Sequence, residues 1–320
     1  MSVVIETITT RAEGALSTLS QDLDRTISGL RRQSYPSALI QPIIVLDHGI
    51  ATADAGALRH LHPDITFVIA PRADNYFAAK NAGVRAATGE IVAMLDGDCE
   101  PAEDWLEMAV AALRDPTVDV VAGRTRYPGT SRLARHFSIS AFAGVMANAD
   151  GSATAFNLNN VAFRRSVVAA FPFDERVVRH GGCYLQYAHL RSAGKRIRYC
   201  PAMRMSHAMG DVAGWAFVGK HFRRGLDAID IHFQDHGAVL RGTPIVRRFG
   251  LLGLVALSGR RTARDWRDMV AQRQQMGIAW TSVPITAAMA VMLRSIELAG
   301  SLTAYVTRSA SRRRRIDIKG

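Results

Sequence analysis

Two carboxylates separated by one glycine, Asp96-Gly97-Asp98, are the residues whose types and spacing most plainly allow chemistry in this chain. Paired oxygen ligands on a tight turn suit a hard divalent cation, Mg²⁺ or Mn²⁺, and such a cation can hold a diphosphate. The glycine lets the backbone come close to a ligand. An isolated Asp-Gly-Asp is also an ordinary solvated turn, so the elements that place it decide its meaning. Upstream, small or apolar residues recur at helical spacing from Tyr76 through Ala78, Ala82 and Arg85-Ala86, and Gly89 is a stop signal. Glu90-Ile91-Val92-Ala93-Met94-Leu95 then reads as a buried strand. The acids therefore fall at the carboxyl end of a central strand, the edge at which open α/β sheets bind ligands.

The ordered run NYFAAKNAGVRAATGEIVAMLDGDCEP, followed by DWLEMAV, resembles the central signature of family 2 glycosyltransferases. In that family a helix with an (Arg/Lys)-Asn-x-Gly core and an Ala-x-Gly-Glu segment precede a strand-end Asp-x-Asp, the DXD motif. The resemblance runs from residue 1 to about residue 225. It implies a GT-A type α/β fold with a doubly wound, mostly parallel sheet and an acceptor-side subdomain. The implied activity is inverting transfer of a sugar from a UDP- or GDP-sugar to an acceptor hydroxyl. Asp98, Asp96 and His207 would surround Mn²⁺ or Mg²⁺, with Asp96 contacting metal or ribose. Asp47 would hold the nucleobase, Thr7 would lie along the nucleotide, and Lys80 would sit near the phosphates. Lys220-His221-Phe222-Arg223-Arg224-Gly225 resembles a basic loop that closes over the diphosphate, a task for which the planar guanidinium fork of Arg223 and Arg224 is suited. Two departures lie in the nucleotide half: Glu6 replaces the usual proline of the first loop, and His48 replaces the second acid after Asp47.

A third departure touches the catalytic base. Asn159 to Arg165 and the triplet Phe173-Asp174-Glu175 both resemble family segments. The glutamate–aspartate pair that should follow, whose aspartate is the base, falls on Gly182-Cys183. Three readings are open. A neighbouring group replaces the base, His180 first or else Asp174 or Glu175; Cys183 acts; or the chain is a non-catalytic nucleotide-sugar or glycan-binding relative. A histidine titrates near ~6.5 and suits proton abstraction at neutral pH, whereas a free thiol near ~8.5 needs a lowered pKa.

The positioning elements follow from pattern. Strands are expected at Val3–Ile5, Ile40–Leu46, Ile65–Ala70, Val118–Gly123 and Ile197–Pro201, and helices at Leu16–Leu30, Ala53–Leu61 and Ala102–Leu113. Alternation of this kind gives a parallel, doubly wound sheet. Neither Gly-x-Gly-x-x-Gly after the first strand nor Gly-x-x-x-x-Gly-Lys-Ser/Thr is present, so the dinucleotide and P-loop phosphate cradles are excluded. Residues 124–150 have no clear period and are expected to shape an acceptor cleft. The expected organisation is 1–123 for the nucleotide half, 124–240 for the acceptor half and 241–320 for a basic, amphipathic helical tail.

Composition supports that last division. The 320 residues carry a net charge of +12. Residues 241–320 hold fifteen Lys/Arg against four Asp/Glu, so 15 − 4 = +11, and residues 1–240 hold the other twenty-five and twenty-four, so 25 − 24 = +1. An anionic partner is expected for the tail. From Ile285, apolar residues recur at 288, 289, 292, 296 and 299, with Arg294, Glu297, Ser301 and Arg308 opposite. Arg247-Arg248, Arg260-Arg261, Arg264, Arg267 and Arg312–Arg315 border the apolar pieces. This pattern suits the interface of an anionic membrane. No recognition motif or interleaved aromatics accompany the arginines, so nucleic acid is not the expected partner. Phe249–Gly259 is too short to span, since ~20 residues are needed. Three unpatterned cysteines and an amino terminus that leads straight into a strand point to a cytoplasmic protein, peripheral at the inner face of the cell membrane. Polysaccharide or glycolipid synthesis, with a glycan or lipid-linked acceptor, is the matching role.

Overall fold

The computed structural model describes residues 1–7, 16–47, 62–71, 75–127, 138–139, 142, 144–177, 180–207, 215–235, 237, 239–274 and 276–317. The helix expected at 53–61, His48 and residues 8–11 lie outside the described residues. So do the side chains of Arg312–Arg315 and most of 128–143. The chain divides into two compact units, one of residues 1–130 and 144–210, the other of residues 131–143 and 211–320.

The first unit is built on an eight-stranded sheet. Its strands are β1 (Ser2–Glu6), β2 (Gln41–Leu46), β3 (Thr66–Ile69), β4 (Ile91–Asp96), β5 (Cys99–Pro101), β6 (Val120–Arg126), β7 (Val161–Arg164) and β8 (Ile197–His207). Their order is β3-β2-β1-β4-β7-β6-β8-β5. The pairs β1–β2, β2–β3, β1–β4 and β6–β8 are parallel. β7 lies antiparallel between β4 and β6, and β5 antiparallel on β8. Helices α1 (Leu16–Arg31), α2 (Tyr76–Ala86), α3 (Trp105–Leu113), α4 (Arg165–Ala170) and α5 (Gly182–Ser192) accompany it.

Continuous burial explains why β1, β2 and β4 form the centre. Every residue of β1 is buried, as is all of β4 beyond Ile91, the pattern of a parallel strand covered on both faces. Val3, Ile44, Leu95, Trp105 and Leu106 belong to one core cluster. Asn75 caps α2, its side-chain oxygen accepting from Ala78 N–H at 2.9 Å. Asn160 ties three elements together: it accepts the buried Trp105 indole N–H at 2.7 Å and donates to the Met203 carbonyl at 3.1 Å.

The sheet continues past the expected boundary at 123. β6 runs on to Arg126, and β7 and β8 join the same hydrogen-bonded sheet, so no seam follows Gly123. β7 escaped the pattern reading because four residues inside the Asn159–Arg165 motif show no useful period.

The second unit is helical: α6 (Trp215–Gln234), α7 (Thr243–Ala271) and α8 (Val283–Asp317). α6 begins before the expected boundary at 240. Residues 220–225 are part of α6 rather than a loop, since His221, Gly225 and Ile229 recur every fourth residue on its buried side. α7 is broken at Gly250, whose φ of 53° and ψ of −122° leave the helical region. A side chain there would be strained, and its Cβ would stand 2.8 Å from the Tyr305 hydroxyl. The expected two-faced pattern of α8 is present. Ile285, Ala288, Met292 and Ala299 are exposed, whereas Glu297 and Ser301 are buried.

Candidate active site at the carboxyl edge of the sheet

Three neighbouring parallel strands end in acids. β1 ends at Glu6, β2 is followed by Asp47 and β4 ends at Asp96, and Glu6 lies in register with both Val45 and Asp96. Glu6 and Asp47 are fully buried, and Asp96 nearly so. Thr7 is also buried, its N–H and hydroxyl donating to the Val45 carbonyl at 3.3 and 3.2 Å. Glu6 therefore replaces proline at a position inside the acid cluster.

The turn after β4 is fastened from below and from the side. Gly97 N–H donates to the Glu6 carbonyl at 2.9 Å, and the buried Thr26 hydroxyl bridges the carbonyls of Gly97 and Cys99 at 2.8 and 2.9 Å. Asp96 Oδ1 accepts from the Tyr76 hydroxyl at 2.9 Å and from Lys80 Nζ at 2.8 Å. Lys80 Nζ also donates to the Leu95 carbonyl at 2.7 Å and is completely buried. The expected phosphate-side lysine, Lys80, thus has its ammonium seated beneath the turn and held by Asp96. Tyr76 lies one helical turn before Lys80 on α2, and that spacing was the available signal for it. Burial first, then the charges of Asp96 and Glu6, raise the Tyr76 pKa well above the ordinary phenol value, which keeps its hydroxyl a donor.

Past the turn, β5 pairs with the end of β8 and sets Cys99 opposite His207. His207 Nε2 stands 3.6 Å from Asp98 Oδ2, and the Cys99 thiol 3.6 Å from Asp98 Oδ1. The Tyr127 ring meets the imidazole edge-on at 5.3 Å between centroids. One donor atom from each of Asp96, Asp98, Cys99 and His207 lies within 4.8 Å of the others. Two carboxylates and an imidazole converging at that distance fit Mn²⁺ or Mg²⁺. The Cys99 thiol is buried, and burial followed by the Asp98 and Asp96 charges pushes its pKa well above the ordinary value.

The candidate bases are placed unequally. Asp174 is bound by Arg176 at 2.6 Å, and that hydrogen bond is the first cause of its lowered pKa, an unfavourable property in a general base. Glu175 Oε1 accepts from Asn81 Nδ2 at 3.0 Å, and Asn75 and Asn81 also hold the Glu175 and Phe173 carbonyls. These residues thus brace the loop against α2. Gly182 is buried, and a Cβ there would come within 2.3 Å of the Phe77 ring. The contact gives a physical reason for the absence of a carboxylate at 182. Cys183, half-buried in the first turn of α5, lies near enough to contribute to the raised Tyr76 pKa. His180, also half-buried, stands just ahead of α5. Arg223, exposed, and Arg224, half-buried, both lie on α6 in the helical unit.

Comparison with known proteins gives the family and the fold. The profile described as Glycosyl transferase family 2 matches residues 8–170, half of the chain. The glycosyltransferase AglE of Haloferax volcanii is 26% identical over 111 residues, 34% of this chain and 36% of that protein. The pre-mycofactocin glycosyltransferase of Mycobacterium tuberculosis is 28% identical over 267 residues, 75% of this chain and 56% of that protein. The chain thus spans about a third and about half of the length of these two relatives. Among solved structures, the mannosyltransferase PcManGT from Pyrobaculum calidifontis, in complex with GDP-Man and Mn²⁺, superposes with a TM-score of 0.61 at 18% identity, covering 95% of this chain and 86% of that one. GalNAc-T7 with UDP, GalNAc and Mn²⁺ gives 0.51 at 14% identity over 65% of this chain and 44% of that one. The fold is therefore of the GT-A type, and the chain belongs to glycosyl transferase family 2.

Proposed function

We propose that the chain transfers a sugar from a nucleoside diphosphate sugar to an acceptor hydroxyl, with Mn²⁺ or Mg²⁺ held by Asp98, His207 and Asp96. The observation that carries this reading is the convergence of those side chains within 4.8 Å at the end of β4. A cation there supplies positive charge to the departing diphosphate. Asp98 and His207 would hold it, and Tyr76 and Lys80 fix Asp96. Asp47 and Thr7, at the ends of β2 and β1, suit the nucleoside. Arg223 and Arg224 are the candidate phosphate ligands from α6. His180 takes the acceptor proton, because Asp174 is committed to Arg176 and Glu175 to Asn81. The donor is a GDP- or UDP-sugar, as in the complexes of the structural neighbours. The acceptor is a glycan or lipid-linked glycan, with the protein peripheral at the inner face of the cell membrane.

The test is a thermal-shift screen of GDP- and UDP-sugars with and without Mn²⁺, followed by a turnover assay. Stabilisation that grows with donor concentration only when the ion is present, and turnover lost in Asp98→Ala, is the expected result. A second reading rests on Gly182 packed against Phe77: a relative that binds the donor without transferring it. Donor binding with no turnover on any acceptor, or by hydrolysis, would favour it.

A further inference from the structure

The helical unit buries two apolar clusters, one around Ile229, Val246 and Leu254 and one around Ile139, Met269 and Ile278, and carries a further set of apolar side chains on its outside. Among the described residues, eleven of the fourteen exposed large apolar side chains lie between 249 and 306. On α7, Phe249 is 54% exposed, Leu252 77% and Val255 49%; on α8, Val291, Met292 and Val306 are exposed as well. A charged network is buried beside these clusters. Arg294 donates to Asp265 Oδ2 at 2.7 Å and to Glu297 Oε2 at 2.5 Å, and His221 Nδ1 lies 3.0 Å from Glu297 Oε1. Arg294 and Glu297 are each only 12% exposed.

α7 and α8 run side by side in opposite directions. Gly250 meets Tyr305, Ser258 Oγ donates to the Arg294 carbonyl, and Trp266 Nε1 donates to the Ala287 carbonyl. The apolar residues therefore follow one helix pair. Arginines border them: Arg247, Arg248, Arg260 and Arg264 are exposed, Arg248 lies over Phe249 at 5.4 Å, and Arg273 over Trp280 at 4.3 Å. Arginine and tryptophan beside an apolar strip match the boundary between headgroups and acyl chains.

We infer that α7 and α8 form an anchor confined to one leaflet of an anionic bilayer, and that neither helix crosses it. This deepens the peripheral placement proposed above and rests on it. Residues Trp280–Arg308 are long and apolar enough to span. However, the charged pair Arg294–Glu297 sits in the middle of that stretch and is satisfied by Asp265 of α7 and His221 of α6. A span would strip these partners away in hydrocarbon or carry them along. α6 cannot follow, with Lys220, Arg223, Arg224, Asp227 and Asp230 on it, and α7 is bent at Gly250. Insertion of the apolar strip to the depth of the headgroup boundary keeps the network intact and lets the arginines meet lipid phosphate. The arginine border favours this occupant over a second copy of the chain, whose matching face would bring like charges together.

The 320-residue chain is tested by flotation with phosphatidylcholine vesicles, with and without phosphatidylglycerol. Binding should require the anionic lipid and weaken with salt. Leu252→Glu with Val255→Glu should lower it by about tenfold or more, with an unchanged melting curve because both side chains point outward. Trp280 fluorescence should be quenched by lipids brominated near the headgroup, and Trp280→Phe should remove that component. Protease added outside should cut at both Arg273 and Arg308. Equal flotation of the double glutamate variant, or a dimer in lipid-free solution that hides the strip, overturns the bilayer face. Flotation with one cleavage site protected overturns the single-leaflet placement. Donor binding measured in detergent separates the readings: intact flotation without donor binding removes the transferase and leaves the anchor.

Discussion

In the sheet unit, Val3, Ile44, Leu95 and Trp105 fill the interior, and the acids Glu6, Asp47 and Asp96 gather at the carboxyl edge of three strands. In the helical unit His221, Asp265 and Glu297 are buried beside the apolar cluster of Ile229, Val246 and Leu254, while Phe249, Leu252 and Val255 face outward. Both units bury carboxylates, but with different partners. Asp98 lies beside a histidine and a thiol, whereas Glu297 is engaged by Arg294 and His221. An acid already neutralised by a neighbouring guanidinium is structural. Acids that converge on one point with an imidazole have the donor set to hold a divalent cation. The contrast separates a site from a scaffold even though both read as buried charge.

The largest effect should come from Asp98→Ala: about a 10³-fold loss of turnover, with Mn²⁺ uptake lost by calorimetry and the unfolding curve nearly unmoved. A large drop in stability instead would place Asp98 with Glu297 among the scaffold acids and break the contrast. Glu297→Ala should do the reverse. It leaves His221 and one side of Arg294 without their buried partner and should destabilise the helical unit by about 3 kcal/mol in denaturant unfolding, while donor binding in detergent persists.

The first unit was legible because its strands are apolar runs that end in acids, and the sequence of β4 and its turn is specific enough to place Asp96 and Asp98 at a sheet edge. What pattern could not supply was partnership. Lys80 looked like a phosphate ligand by type, yet three-dimensional closure turns it onto Leu95 and Asp96. Asp174 and Glu175 looked like spare carboxylates, but Arg176 and Asn81 engage them from two residues away and from another helix. For Lys220–Gly225 the resemblance offered a loop, but burial every fourth residue makes it helix. Periodicity did disclose the two faces of α8; which face turns inward depended on whether Arg294 and Glu297 had partners on other helices, and no single helix carries that information.

A pH dependence sharpens the scaffold side. His232 is buried with Nδ1 3.1 Å from the Thr243 hydroxyl, and burial first, then Arg261, lowers its pKa to about 4. His221 is lowered too, also by burial first. Below about 6.5 the unfolded chain takes up protons that the folded chain refuses, so stability falls as the pH drops from 6.5 toward 4 and levels off below it. Between pH 7.5 and 5 the loss attributable to His232 is about 2 kcal/mol. Burial opposes the charged form of Glu297, but the His221 hydrogen bond and then Arg294 outweigh it and lower its pKa. Its contribution is therefore fully present above the ordinary glutamate value and fades only at lower pH, outside this window. Thermal melts across the interval should show the loss in the native chain and less of it in His232→Gln. An unchanged slope would mean that the imidazole is solvated.

The smallest effect tests how far support from a neighbour reaches the site. Asp96 Oδ1 accepts two buried donors, the Tyr76 hydroxyl and the Lys80 ammonium. Tyr76→Phe removes one of them while keeping the ring, which packs edge-on against Phe77 at 5.0 Å. Lys80 still pairs the carboxylate, so the fold should lose only about 1 kcal/mol. If that hydrogen bond aims Asp96, Mn²⁺ affinity should fall by about tenfold in calorimetry. The remaining Lys80 contact then also bears more on the carboxylate, so donor KM should rise more than kcat falls. Equal stability loss with unaltered ion affinity would assign Tyr76 to the scaffold, and the division between cation-ready and self-paired acids would then begin at Asp98 rather than at the end of β4.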